Sequence, residues 1–241
     1  MEWKQVIHLA TIELKESIVN LLLCWLVMSL FGTMILFEVG IRLAEGNVGI
    51  PYDVIFIVLF SSAPFLFRAK HFKYNKVSGN LWASPTFIMQ SQLPIPKKTL
   101  FKSRFIIYAV YYVPATIFIF FISYIISDDL RTFLSPSTYI IFTVIWFLAG
   151  LSLGIVYPAS DVGNIVTPKI TFVYMIMLAA GGGLILLFFR LVIGTGIISF
   201  TIFLSNEHGG LAMIVCLILF ICSWIYWPYY MDRKMKKLDY L

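Results

Sequence analysis

From Arg68 to Arg104 the sequence reads RAKHFKYNKVSGNLWASPTFIMQSQLPIPKKTLFKSR, with a long apolar run on either side. This segment, the basic loop, contains no aspartate or glutamate. Its eight cationic residues are Arg68, Lys70, Lys73, Lys76, Lys97, Lys98, Lys102 and Arg104. Lysine and arginine near the ends of membrane spans resist translocation, so a basic stretch between two spans stays cytoplasmic. Placing the basic loop inside the cell assigns a side to every other loop.

The composition describes a membrane protein. Hydrophobic residues make up 60% of the chain and charged residues 12%, whereas a soluble domain carries about 25% charged residues. In the orientation given above, 15 of the 18 lysines and arginines are cytoplasmic, while the 12 acidic residues divide evenly between the two sides. This asymmetry explains the net charge of +6 without a nucleic-acid partner.

The three cysteines lie in apolar runs and have no CxxC spacing, so neither a disulfide framework nor a metal site is indicated.

Hydropathy predicts an all-α membrane protein in which residues 1–241 form one transmembrane domain. The predicted spans are about 18–37, 52–67, 105–126, 138–157, 170–189 and 211–230. Both termini are then cytoplasmic.

Residues 2–17 are amphipathic, with Trp3, Ile7, Ala10 and Leu14 on one face and Glu13 on another. We expect an interfacial helix on the inner membrane surface, the alternative being a disordered tail.

Two groups of glycines lie inside predicted spans. Gly150 and Gly154 form a small-xxx-small pattern, which is typical of closely packed membrane helices. Gly181, Gly182 and Gly183 have no strand before them, so phosphate binding is disfavoured. We expect close packing or a helix break at this triplet.

Residues 170–204 form an apolar run that is interrupted by Arg190. A continuous helix over this run would be about 52 Å long, too long for one span, and residues 191–204 are too few for a second. We therefore predict a re-entrant or interfacial segment on the outer side, bent at Gly194 and Gly196, with Arg190 reaching the outer headgroups. Arg190, Gly194 and Gly196 are candidates for an outer gate, and a plug is the alternative.

The sequence lacks the residue patterns that are typical of ion coupling, metal-dependent catalysis and ATP binding. No predicted span has an ionisable side chain near its middle, which argues against an ion-coupled transporter. The chain contains no HExxH and no GxxxxGK[ST], so it cannot hold ATP in a P-loop by itself. We expect no catalytic residue, no metal site and no cofactor in this chain.

A short helix is predicted inside the basic loop. Ser84 and Pro85 are typical of an N-cap followed by a proline at the first helical position. The helix over 86–92 is stopped by Leu93-Pro94-Ile95-Pro96. A helix bounded by prolines in this way suits a rigid docking element better than a flexible linker. Thr167 and Pro168 predict a similar start for the fifth span.

The string LPIPKKTLFKSRFI, residues 93–106, resembles the corresponding segment of bacterial ABC type-2 permeases, which also lies between the second and third of six spans. The compact size is similar to that of exporter permeases for phenol-soluble modulins and lantibiotics. The resemblance implies that a separate ATPase subunit docks on a coupling helix over 84–93. Carried over by position, the docking residues are Ser84, Pro85, Phe87, Met89, Gln90, Gln92, Leu93 and Pro94. A second inner contact falls in 158–169, with Asp161 and Asn164.

The resemblance also implies a function. Two such chains, identical or related, would pair in the inner membrane of a bacterial cell, contact its lipids and bind ATPases that hold ATP and Mg²⁺. The expected activity is the export of amphipathic or antimicrobial-type peptides, or of another hydrophobic substrate. A non-transporting membrane scaffold or receptor is the first alternative, and an ion-coupled secondary transporter is the second.

Overall fold

Helices make up about 80% of the chain in a computed structural model, which describes residues 2–46 and 48–238. This confirms the all-α membrane class. In chain order the helices are α1 Glu2–Glu16, α2 Ile18–Ala44, α3 Ile50–Leu66, α4 Pro85–Ser91, α5 Lys97–Ile126, α6 Asp128–Phe133, α7 Pro136–Gly154, α8 Val156–Ser160, α9 Pro168–Phe188, α10 Ile197–Glu207 and α11 Gly209–Met235. A π-helical turn, Phe189–Ile193, follows α9.

Five helical segments in the described part of the chain are long and apolar enough to cross a membrane. They are Ile18–Leu43, Lys97–Ile126, Pro136–Ser160, Pro168–Ile193 and Gly209–Met235, which overlap five of the predicted spans. The other predicted span coincides with α3, which has 17 residues. Its length is about 26 Å, somewhat less than the hydrocarbon core of about 30 Å. A sixth crossing by α3 therefore remains a prediction.

The fold gathers the basic loop, α1, the segment after α8 and the end of α11 at one end of the bundle, here called the basic end. Lys102 of α5 pairs with Glu2 of α1 at 3.5 Å, and Lys234 of α11 donates a hydrogen bond to Asn164. Segments predicted to be extracellular meet at the opposite end, where Arg190 donates to the carbonyl of Val48. Each of these contacts joins two segments that are predicted to lie on the same side of the membrane.

A small sheet at the basic end was not predicted. In the described residues it has the order β1 Asn75–Ser78, β2 Leu81–Ala83 and β3 Asn164–Ile165, and both pairings are antiparallel. The first two strands form a hairpin inside the basic loop. The third strand comes from the predicted second inner loop. The sheet therefore joins the two segments for which an ATPase contact is predicted.

Aromatic side chains fill the core between α3, α5 and α7. Phe60 of α3 stacks on Phe120 of α5 with the ring centroids 5.2 Å apart. Phe56 meets Trp146 of α7 edge to face at 4.5 Å. Phe142 also belongs to this buried cluster. Offset and edge-to-face pairs of this kind add about 0.5–1.5 kcal/mol each to the effect of burial.

Gly150 and Gly154 allow α5 and α7 to pack closely, as their spacing predicts. The hydroxyl of Tyr108 donates to the carbonyl of Gly150 at 3.2 Å, and Tyr112 donates to that of Phe147 at 3.2 Å. A Cβ at Gly154 would overlap the Tyr108 hydroxyl and lie 2.9 Å from the carbonyl oxygen of Ser61 in α3.

The helix α9 is packed very differently. None of the described residues of α9 is buried. Apart from the adjacent backbone of α9, no described residue lies within 4 Å of a Cβ placed at Gly181, Gly182 or Gly183. The expectation of close packing or a helix break at this triplet is therefore wrong within the chain, because α9 is continuous and lies apart from the α3–α5–α7 core.

We predict that Gly154→Ala destabilises the protein and that Gly182→Ala does not. The new methyl at Gly154 displaces Tyr108 and costs about 1–3 kcal/mol through overpacking. The same substitution at Gly182 meets open space and favours the helix by up to about 1 kcal/mol. Thermal unfolding in detergent, followed by tryptophan fluorescence, compares the two variants. Equal midpoints would contradict the packing described here.

Candidate functional site

The predicted helix of the basic loop is present as α4. Ser84 is its N-cap, and its hydroxyl accepts a hydrogen bond from the backbone N–H of Phe87 at 3.4 Å. Pro85 occupies the first helical position. The backbone N–H of Ser84 also donates to the carbonyl of Asp161 at 3.1 Å. The start of α4 is thus fixed to the segment after α8.

One face of α4 rests on an apolar cluster at the basic end. The ring of Phe87 lies nearly parallel to that of Phe101, with the centroids 6.5 Å apart. The cluster includes residues of α4, α5, α8 and α11 and the residue before α8, namely Phe87, Leu100, Phe101, Phe105, Ile155, Ala159 and Met231. Because these side chains come from separate helices, they support α4 on a rigid base.

The other face of α4 is exposed. Met89 keeps 68% of its surface accessible and Leu93 keeps 54%, and Gln92 and Pro94 are exposed as well. Met89 and these three residues just after the end of α4 together form an accessible surface, here called the tip of α4. Of the other predicted docking residues, Ser84 and Phe87 are fully buried and Pro85 and Gln90 are half-buried.

Four buried charged side chains meet directly beneath α4. This charge cluster consists of Glu13 of α1, Arg68 after α3, Arg104 of α5 and Asp161 after α8. Arg68 donates to Glu13 at 2.8 and 3.1 Å and to Asp161 at 3.0 and 3.1 Å. Arg104 pairs with Glu13 and lies 3.8 Å from Asp161. Two positive and two negative charges therefore balance inside the protein.

Burial and ion pairing have opposite effects on the pKa values of Arg68 and Asp161 in the charge cluster. Burial alone lowers the pKa of Arg68, but Asp161 and Glu13 raise it above its ordinary value, so Arg68 stays charged. Burial raises the pKa of Asp161, and the two arginines limit that rise. Removing one member leaves an uncompensated buried charge, which typically costs about 3–5 kcal/mol.

Gln90 connects α4 to the charge cluster. Its side-chain oxygen accepts a hydrogen bond from Arg104 at 2.7 Å, and the Arg104 guanidinium also lies over the ring of Phe87, 5.6 Å from its centroid. The predicted docking helix is thus one hydrogen bond away from the buried charges. Gln90 therefore fixes the position of α4 on α5. It offers less accessible surface to a docking partner than Met89 does.

One predicted contact position at the basic end needs correction. Asp161, expected at a second inner contact, is fully buried and bound by arginines, so it supports the site from inside. Its companion Asn164 is half-buried and accepts from Lys234. Val6, Ala10 and Glu13 of α1 face the protein interior, so Ala10 of the predicted membrane-facing side is buried. Trp3 and Ile7 remain exposed.

The predicted bend at the opposite end is present. Gly194 ends the π-helical turn with φ +80, a left-handed conformation that side-chain-bearing residues rarely adopt. The helix α10 begins three residues later, at Ile197. Arg190 does not reach outward to headgroups as expected, because it is half-buried and donates to the carbonyl of Val48.

Asp53 holds the start of α10, which sequence reasoning did not anticipate. Its carboxylate comes from the first turn of α3 and accepts the backbone N–H of Ile198 at 3.0 Å. A Cβ at Gly196 would lie 2.6 Å from this carboxylate, so Gly196 makes room for the cap. Trp146 further binds α10 through Thr201 at 3.1 Å.

Comparison of the chain with protein-family models, with curated proteins and with solved structures gives no match. Within residues 2–46 and 48–238, no group of three or more histidine, cysteine, aspartate or glutamate side chains is arranged to hold a metal ion.

We predict that Glu13→Ala strongly destabilises the protein, whereas Glu16→Ala has little effect. Both residues are on α1, but Glu13 is 2% exposed between two arginines and Glu16 faces outward. The expected difference in the free energy of unfolding is about 3–5 kcal/mol. Thermal or chemical unfolding in detergent measures it. A difference below about 1 kcal/mol, the usual range of exposed ion pairs, would contradict the charge cluster.

We also predict that Asp53→Ala loosens α10 and that Asp53→Asn largely preserves it. Alanine removes the capping oxygen, which typically costs about 1 kcal/mol or more, whereas asparagine keeps an acceptor. Hydrogen exchange of the backbone N–H groups from Ile198 to Ser205 reports the change. Equally fast exchange in both variants would show that the charge, and not the cap, holds α10.

Proposed function

We propose that this chain is the membrane-spanning permease subunit of an ATP-driven ABC exporter. The observation that carries the proposal is the construction of α4. It is a short helix in a cytoplasmic-type basic loop, with an exposed tip and a buried face fixed to α5. A surface element of this kind is suited to receive force from a soluble partner and pass it to the spans.

The contacts of α4 give a route for that force. Phe87 packs on Phe101, and Gln90 binds Arg104, so pressure on the tip reaches α5 directly. Arg104 in turn pairs with Glu13 of α1. In this proposal an ATPase binds ATP and Mg²⁺, pushes on α4 and thereby shifts α1 and α5. The chain described here takes no part in the hydrolysis itself.

The assembly proposed is a pair of permease chains, identical or related, with two ATPase subunits. It lies in the inner membrane of a bacterial cell, with six crossings and both termini in the cytoplasm. The concentration of lysine and arginine at the basic end supports this orientation. The coincidence of α4 with the segment that resembles ABC type-2 permeases supports the family.

The surface between α2 and α5 supports an apolar class of substrate. An open groove of about 580 Å³ runs along it. The groove is lined by Ser29, Leu30, Phe31, Thr33, Met34, Phe37, Phe118, Ile122 and Ile126. Such a lining suits the apolar face of an amphipathic peptide or an acyl chain better than a polar solute.

The proposed function predicts that a P-loop ATPase copurifies with the tagged chain from the membranes of its host. A scaffold, a receptor or an ion-coupled transporter does not require this partner. Mass spectrometry identifies the ATPase, and its hydrolysis of ATP is measured with and without the permease. Absence of any P-loop ATPase from the purified membrane complex would refute the proposal.

Met89→Asp should then weaken that complex, because a charge replaces an exposed apolar side chain at the tip of α4. Val77→Asp is the matched control, since Val77 is also exposed in the basic loop but lies on the hairpin. We expect loss of permease-dependent ATP hydrolysis in the first variant and retention in the second. Equal behaviour would remove α4 from the contact.

A further inference from the structure

Two lysines stand beside the exposed tip of α4. Lys97 and Lys98 follow Pro96 directly, open α5, and are both exposed. The first turn of α5 contains no acidic residue to balance them. The positive end of the helix dipole also lies here, and a cation in this position costs about 0.3–1 kcal/mol. Their placement therefore works against the stability of α5.

Nearby carboxylates in the described chain are already engaged. Lys97 and Lys98 act electrostatically on Asp232, but the Asp232 carboxylate forms its ion pair with Lys236, at 2.6 Å. Glu2 pairs with Lys102. Lys97 and Lys98 thus present two positive charges beside the apolar tip formed by Met89, Gln92, Leu93 and Pro94.

We propose that this surface fits an ATPase groove that is apolar at its floor and carries carboxylates on its rim. The inference rests on the proposed function and adds the chemistry of the partner surface. Met89 and Leu93 would enter the groove, because they are apolar and largely exposed. Lys97 and Lys98 would meet the acidic rim. Complementary rim charges contribute to specificity and to the rate of association.

The position of the two lysines favours a protein partner over anionic lipid. Lys102, four residues after Lys98, lies over the ring of Trp3 at 5.3 Å, and Trp3 belongs to the amphipathic helix α1. Lys98 is about 6 Å further out along the axis of α5. The lysine suited to the lipid headgroups is therefore Lys102, and the pair at the tip extends beyond it.

The test uses the full chain and the ATPase that copurifies with it. Lys97 and Lys98 are both changed to Glu, and a second variant carries Gln at both positions. The control changes Lys70 and Lys76 to Glu, two exposed lysines of the basic loop that lie away from the tip of α4. Binding of the purified ATPase to each permease is measured at low and at high salt. Levels in the membrane fraction are compared first.

We expect Lys97→Glu/Lys98→Glu to weaken binding about tenfold or more at low salt, with a smaller loss for the glutamine pair and little loss for the control. The wild-type affinity should fall as salt rises. Changing rim carboxylates of the ATPase groove to lysine should restore binding to the glutamate variant. If the glutamate variant fails to insert into the membrane, the test rests on the binding of the glutamine variant and on the salt dependence of the wild-type affinity.

An equal loss with the Lys70/Lys76 control would overturn the inference and assign the effect to net charge at the membrane surface. Unchanged binding in the glutamate and glutamine variants would overturn it as well, while leaving the proposed function intact. Failure to recover any ATPase with the wild-type chain would instead refute the proposed function, and this inference with it.

Discussion

The buried charge cluster is the constraint on which the basic end depends. Glu13, Arg68, Arg104 and Asp161 come from four separate segments, and each is nearly or fully excluded from solvent. Any arrangement that lacks one of them leaves a charge uncompensated in the interior, at a cost of several kcal/mol. Helix α1, the end of α3, the start of α5 and the segment after α8 must therefore assemble together. The same requirement fixes the position and orientation of α4 relative to α5, because Gln90 accepts a hydrogen bond from Arg104.

The opposite end is held by another kind of interaction. Here the structure satisfies backbone groups, with Asp53 capping α10 and Arg190 donating to the carbonyl of Val48. These contacts join a half-helix to its neighbours and do not balance a charge cluster. Losing one costs about 1–3 kcal/mol, less than an unpaired buried charge. Losing a member of the charge cluster therefore costs more free energy than losing one of the contacts that hold α10.

The sequence was most informative where one local property decides the outcome. Apolar length located five of the predicted spans, Ser84-Pro85 located α4, and the glycine at 194 located the bend. The charge cluster could not be found in this way, because hydropathy treats a charged residue as exposed and Glu13 lies 55 and 91 residues from its arginines. A usable signal existed in α1, where Val6, Ala10 and Glu13 share one face. The sheet was missed because its strands have only two to four residues, too few to show an alternation of apolar and polar side chains.

The route from α4 to the spans consists of a single layer of contacts. Phe87 rests on Phe101 and Gln90 on Arg104, so a movement of α4 that keeps these contacts carries the start of α5 with it. Because Arg104 also pairs with Glu13, α1 must follow. A movement that breaks the contacts leaves buried charges without their partners, so displacing the three helices together costs less free energy. Under the proposed function, α1, α4 and α5 would then move as one body. The adjustment between spans would fall on α9, whose described residues are all unburied.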